Sequence, residues 1–110
     1  MEGHLTVRSG LARLPTPTGQ HFAELFHHGL LVLELYAPRG LDPQKPHTRD
    51  ELYIVAAGSG RFQLAGEIEA FGPGGVLFVA AGVEHRFLDF TDDLAVWVMF
   101  YGPEGGEMSR

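Results

Sequence analysis

The chain has 110 residues, 45% of them hydrophobic, which suits one compact domain around a single core. A formal net charge of −6, a pI near 5.4 and a single lysine, Lys45, exclude the clustered cations that a nucleic-acid or anionic membrane surface demands. Cysteine is absent, so disulfides, thiolate metal sites and cysteine nucleophiles are excluded together.

The start, Met1-Glu2-Gly3-His4, has no basic stretch leading into an apolar run, so no secretory signal is read there and a cytoplasmic location is expected. Residues 1–20, with Pro15-Thr16-Pro17-Thr18-Gly19, read as an arm ahead of the main body. From there glycine (15 in the chain) and proline (7) punctuate short apolar runs, the spacing of an all-β domain with frequent turns. The first two expected strands are Phe22–His27 and Leu30–Tyr36; the second is too short for a membrane span and contains Glu34. Strands follow at Glu51–Ala57, Arg61–Leu64, Glu67–Ala70, Val76–Val79, Glu84–Leu88 and Leu94–Tyr101. Ala65-Gly66 marks a tight hairpin, and Phe71-Gly72-Pro73-Gly74-Gly75 closes it. Val76–Val79 and Leu94–Phe100 are apolar at nearly every position, as expected where both faces are covered or one meets a partner chain. Nothing reads as a long amphipathic helix. Short strands in this number predict a sandwich or a closed barrel over 21–101, with 102–110 as a frayed tail.

The chemistry concentrates in two segments, Pro46–Gly58 and Gly74–His85, which hold His47, Glu51 and His85. Two imidazoles and a carboxylate can occupy one face of a divalent metal and leave other positions open. With no thiolate available, nitrogen and oxygen ligands suit iron, manganese, zinc, nickel, cobalt or copper. Spacing sets a condition. On a straight strand His47 and Glu51 would have Cα atoms about 13 Å apart, too far for ligands bonded at about 2.0–2.2 Å to one ion. Either the chain reverses through Thr48-Arg49-Asp50, a polar trio suited to it, or the two share no metal. His85 between apolar Val83 and Phe87 has an alternative reading as a buried neutral imidazole bonded to backbone.

Tyr53 shares Glu51's face of a regular strand, which makes it the candidate for proton transfer or for supporting the ligands; a wall aromatic is the alternative. Arg49 and Lys45 are either exposed loop cations or attractors of an anionic substrate. His27 and His28, adjacent on a strand, point opposite ways, so at most one faces inward. Trp97, Phe100 and the other phenylalanines read as core, with Val96, Val98, Phe100 and Phe78 as an alternative apolar pocket wall. Gly58-Ser59-Gly60 is a turn with no helix after it, not a phosphate loop, and no serine lies in a nucleophile-elbow context.

The two segments resemble the two motifs of the cupin superfamily. Its first motif runs Gly, five residues, His, one, His, three or four, Glu, six, Gly; its second runs Gly, five, Pro, one, Gly, two, His, three, Asn. His47, Glu51 and Gly58 match the latter part of the first. Gly74, Ala80, Gly82, His85 and Asp89 match the second, with Ala for Pro and Asp for Asn. The likeness spans about Leu30 to Tyr101. It implies a jelly-roll barrel of two facing antiparallel sheets with a metal between them, ligated by His47, Glu51 and His85, and a homodimer with the arm and the final strand as candidate interface elements. It implies either a metal-dependent enzyme of dioxygenase or isomerase and decarboxylase type acting on a small organic molecule, or a non-catalytic small-ligand sensor. One departure bears on the site: Lys45 stands where the family has its first histidine, and Gly40 is one residue out of register. A protonated ammonium is no ligand and repels a cation. Three arrangements are open: three ligands with water or substrate in the gap; a replacement ligand from Gln44, Asp50, His27 or His28; or a metal-free pocket.

Overall fold

The computed structural model describes residues 3–108. A short helix, α1 (Val7–Leu11), precedes eight strands: β1 (Phe22–His28), β2 (Leu31–Tyr36), β3 (Asp50–Ala57), β4 (Gly60–Leu64), β5 (Glu67–Phe71), β6 (Val76–Val79), β7 (His85–Leu88) and β8 (Ala95–Tyr101). Every strand lies within one residue of its expected limits, because turn residues bound each apolar run.

Two antiparallel sheets result, ordered β1-β2-β8-β3-β6 and β5-β4-β7. They face each other across one core of Tyr36, Tyr53, Val55, Phe62, Val79, Phe87, Leu94, Val96 and Val98. Aromatic rings join the layers: Tyr53 meets Phe62 edge-on at 5.9 Å, and Tyr36 lies 6.4 Å from Phe87. Strand alternation decides which residues look inward. On β8, Val96, Val98 and Phe100 do, so Trp97 faces out of the sandwich and is only half-buried. Phe78 is likewise outward and 49% exposed, so neither belongs to the core or the pocket wall. A run apolar on both faces had concealed this division.

The arm is more structured than its composition predicts. Thr6 and Ser9 cap α1 reciprocally: the Ser9 amide donates to Thr6 Oγ1 at 3.0 Å and the Thr6 amide to Ser9 Oγ at 3.1 Å. Gly10 then seats α1 on β2, where an added Cβ would come within 2.6 Å of Leu35 Cδ2. The segment after β8 also folds back. The Gly105 amide donates to the Thr48 carbonyl (2.7 Å) and the Glu107 amide to Asp50 Oδ2 (2.8 Å), so residues 102–107 are tied to the start of β3. No described helix is long and apolar enough to cross a membrane.

Candidate metal centre

His47 and Glu51 meet because the chain bends at Thr48 and Arg49, as their spacing requires. His47 Nε2 lies 3.8 Å from Glu51 Oε1. Asp50 holds the bend from behind: its Oδ1 accepts from the Ala81 amide (2.9 Å) and its Oδ2 from that of Glu107. The Gly82 amide donates to the His47 carbonyl at 2.7 Å, so the turn leading to His85 is tied to the loop carrying His47. Gly82 has φ +79°, where a side chain is strained, and an added Cβ would meet nothing, so backbone conformation alone accounts for the glycine.

Glu51 sits between Val79 of β6 and Phe100 of β8 in the sheet register and is fully buried. His85 opens β7 opposite Leu64, with its Nε2 3.0 Å from Glu51 Oε1. A carbonyl only accepts, so the 3.0 Å contact between His85 Nδ1 and the Val83 oxygen assigns the proton to Nδ1 and turns the Nε2 lone pair toward Glu51. The approach of His85 Nε2 to Glu51 Oε1 lacks hydrogen-bond geometry, and neither carboxylate oxygen of Glu51 has a hydrogen-bond partner among the described residues. A buried carboxylate facing an imidazole lone pair needs a cation or a proton between them. Ligand atoms of His47, Glu51 and His85 all lie within 4.8 Å of one another, so the three fit a common divalent ion. Burial pulls the His85 pKa down, but the Glu51 carboxylate and the Val83 carbonyl outweigh it and hold it above the usual value. A proton and a metal therefore compete for the same lone pair.

Tyr53, two residues along β3, points to the same centre. Its hydroxyl lies 3.0 Å from His85 Nε2 and donates to Gln44 Oε1 at 2.8 Å. Burial first, then the Glu51 charge, raise its pKa well above normal, so it remains a phenol. The His47 ring rests edge-on against Phe100 at 5.1 Å. Two cavities flank the group. The larger, about 740 Å³, reaches His47 and is walled by Glu34, Tyr36, Val98 and Phe100, with Lys45 among its polar residues. The smaller, about 220 Å³, reaches His85, and Gln44 lines both.

The other sequence candidates lie elsewhere. Arg49 donates to the carbonyls of Gly102 and Leu30 and so fastens strand ends. His27 pairs with Glu24 at the surface and His28 is exposed. Asp89 has φ +48° and an exposed side chain that pairs with Arg61, which explains the Asx residue at the end of the second motif as a turn former. Two contributors escaped the sequence reading. Glu34 faces the large cavity, where burial, then Glu24 and Glu51, raise its pKa to about 7; a lone acid in an apolar strand was its signal. Asp42, buried in a loop, accepts from the Tyr36 hydroxyl and the Phe87 and Gln44 amides, and had no local signal.

Comparison with known proteins agrees with this architecture. The family model described as a cupin domain matches residues 32–101. An uncharacterized protein of Streptomyces coelicolor is 41% identical over 63 residues, 57% of this chain and 60% of that protein. The HTH-type transcriptional activator RhaS of Mannheimia succiniciproducens is 39% identical over 62 residues, 56% of this chain but 23% of that protein. The chain thus spans less than two thirds of either relative. Among solved structures, a cupin 2 conserved barrel domain protein from Salinispora arenicola superposes with a TM-score of 0.69 at 17% identity, covering 93% of this chain and 89% of that one. Fold, motif spacing and family match lead to one conclusion: the chain belongs to the cupin family.

Proposed function

We propose that the protein is a metal-dependent enzyme acting on a small organic molecule held in the 740 Å³ cavity. The observation that carries this is Glu51, a buried carboxylate with no hydrogen-bond donor among the described residues, ringed by His47 and His85. His47, Glu51 and His85 are its ligands. A bound divalent ion of iron, manganese, zinc, nickel, cobalt or copper supplies Lewis acidity toward a carbonyl or, for the redox-active ions, a route to dioxygen. The chain's own residues do the rest. Val98, Phe100 and Tyr36 wall an apolar chamber that orients the substrate and sheds water, and Tyr53 is the phenolic proton donor beside the ligands. Glu34, with a pKa near neutrality, is suited to hold or release a proton at the chamber wall.

Elemental analysis of tag-free protein tests the ligand set. Near-stoichiometric metal, lost in both Glu51→Ala and His85→Ala, is expected; full occupancy in both variants rejects the assignment. Dioxygen uptake across a panel of small carboxylates and carbonyl compounds then separates oxygenase from Lewis-acid chemistry.

A second reading, a non-catalytic small-ligand sensor, is favoured by the 39% identity to part of a transcriptional activator and by Lys45 at a ligand position. Saturable ligand binding with no turnover in metal-loaded protein would establish it. We also propose a cytoplasmic homodimer, since Val76 (60% exposed) and Phe78 (49%) leave an apolar surface on the outward side of edge strand β6. Light scattering is expected to give twice the chain mass, falling to the monomer for Phe78→Glu.

A further inference from the structure

We propose that Gln44 supplies, through its side-chain oxygen, the ligand that is missing at Lys45; this rests on the metal-site reading above. Four replacements were open in the sequence, and the structure separates them. Both oxygens of Asp50 are engaged by the Ala81 and Glu107 amides. His27 is tied to Glu24, and His28 is exposed. Gln44 alone of the four reaches the centre. Its Oε1 stands 3.3 Å from His47 Nε2 and 2.8 Å from the Tyr53 hydroxyl, which in turn lies 3.0 Å from His85 Nε2.

These separations suit shared coordination. Bonds of about 2.0–2.2 Å give ligand–ligand edges of about 2.8–3.6 Å in octahedral or tetrahedral sites. The 3.3 Å edge from Gln44 to His47 and the 3.0 Å edge from His85 to Glu51 fall in that range, and the 3.8 Å edge from His47 to Glu51 lies just beyond it.

Orientation is the second argument. An amide has a donating and an accepting end, and here the donating end is committed: Gln44 Nε2 donates to Asp42 Oδ2 at 3.0 Å. Asp42 is buried and cannot turn to suit the amide, because its carboxylate also accepts from the Gln44 backbone amide (3.1 Å), the Tyr36 hydroxyl (2.5 Å) and the Phe87 amide (2.8 Å). An ionised carboxylate only accepts, so Oε1 must face the centre. That oxygen has two lone pairs. One receives the Tyr53 hydroxyl, and the other faces His47 Nε2 at 3.3 Å, a hydrogen bond that an ion held by both groups would replace. Asp42 is thus the positioning residue for a neutral oxygen ligand, as carboxylates position ligating groups elsewhere. A neutral amide in place of imidazole leaves the net charge of the site unchanged but makes the donor harder, which moves preference toward Mn²⁺.

The test is calorimetric titration of chelator-stripped full-length protein with Mn²⁺ and with Co²⁺, the latter also followed by its visible spectrum. Gln44→Leu is expected to weaken Mn²⁺ binding about tenfold or more and to change the Co²⁺ spectrum, and Gln44→Met, of similar length but without an oxygen donor, is expected to do the same. Melting curves of the metal-free variants confirm that each is folded; should the leucine variant not fold, wild-type affinity and an unaltered Co²⁺ spectrum in the methionine variant overturn the proposal. Wild-type affinity and spectrum in Gln44→Leu, with binding abolished in Glu51→Ala, also overturns it and leaves the three-residue site standing. No binding of either ion by the wild type rejects the site itself.

Discussion

Glu51 Oε1 and His85 Nε2 stand 3.0 Å apart with both side chains out of solvent, one an anion and the other presenting a lone pair. Without a cation the pair is held by His85 protonation at the cost of burying charge. Replacing the carboxylate with an amide removes that cost and offers His85 a donor. Glu51→Gln is therefore expected to raise the stability of metal-free protein by about 1–3 kcal/mol while abolishing the stabilisation that added metal gives the wild type. Paired melts in chelator and in Mn²⁺ check both halves, and a destabilised metal-free variant would contradict the account.

Glu34 yields a pH dependence. Its carboxyl is raised from 4.5 to about 7, by burial first and then by the Glu24 and Glu51 charges. The folded state therefore binds more protons than the unfolded state between those values, and stability falls as pH rises through that window and levels above it. For this half-buried group the span is about 1 kcal/mol after solvent screening. Glu34→Gln is expected to flatten the fall between pH 4.5 and 7 in urea titrations; an unchanged slope would assign it to other groups.

Much of this was legible in the sequence, and each failure has its own physical cause. Glu51 and His85 could be read because each stands in the first two residues of a strand whose limits are set by turns, so spacing along the chain becomes spacing in the sheet. Gln44 could not be selected from its rivals. It lies in a loop without regular structure, and its aim depends on Asp42, itself fixed by the distant Phe87 amide. Trp97 was misplaced because β8 is apolar on both faces, which removes the alternation that signals direction. Helix α1 is too short for a 3.6-residue period, although Thr6 and Ser9 carry its cap. Arg49 and Lys45 looked equivalent as loop cations, yet one fastens carbonyls and the other lines the cavity.

Gly58, the last residue of the first motif, is required on two counts. Its φ is +87°, and an added Cβ would come within 2.6 Å of Leu94 Cα and 2.8 Å of Thr91 Oγ1. The Leu94 contact is backbone beneath a fully buried side chain, so it cannot swing away. Left-handed strain and overpacking together predict that Gly58→Ala costs about 2–4 kcal/mol. Urea unfolding measures it, and a loss below about 0.5 kcal/mol would mean that the β3–β4 turn re-forms differently.

Asp50 couples the chain's end to the metal loop. Amide donation from Glu107 and then from Ala81 holds its pKa below the ordinary carboxylate range. A depressed carboxylate contributes stability above its unfolded pKa and loses it as pH falls through the folded one, so the clamp is intact at neutral pH and releases only in acid. In amide NMR spectra the Glu107 and Ala81 signals are expected to hold steady through the usual aspartate range and to shift together below it. Asp50→Ala is expected to show the released signals at pH 7 and to weaken metal binding several-fold, because the Ala81–Gly82 turn that sets the path to His85 loses its tether to the His47 bend. Independent titration of the two amides, or an unmoved Ala81 signal in the variant, would show that the turn is held without Asp50.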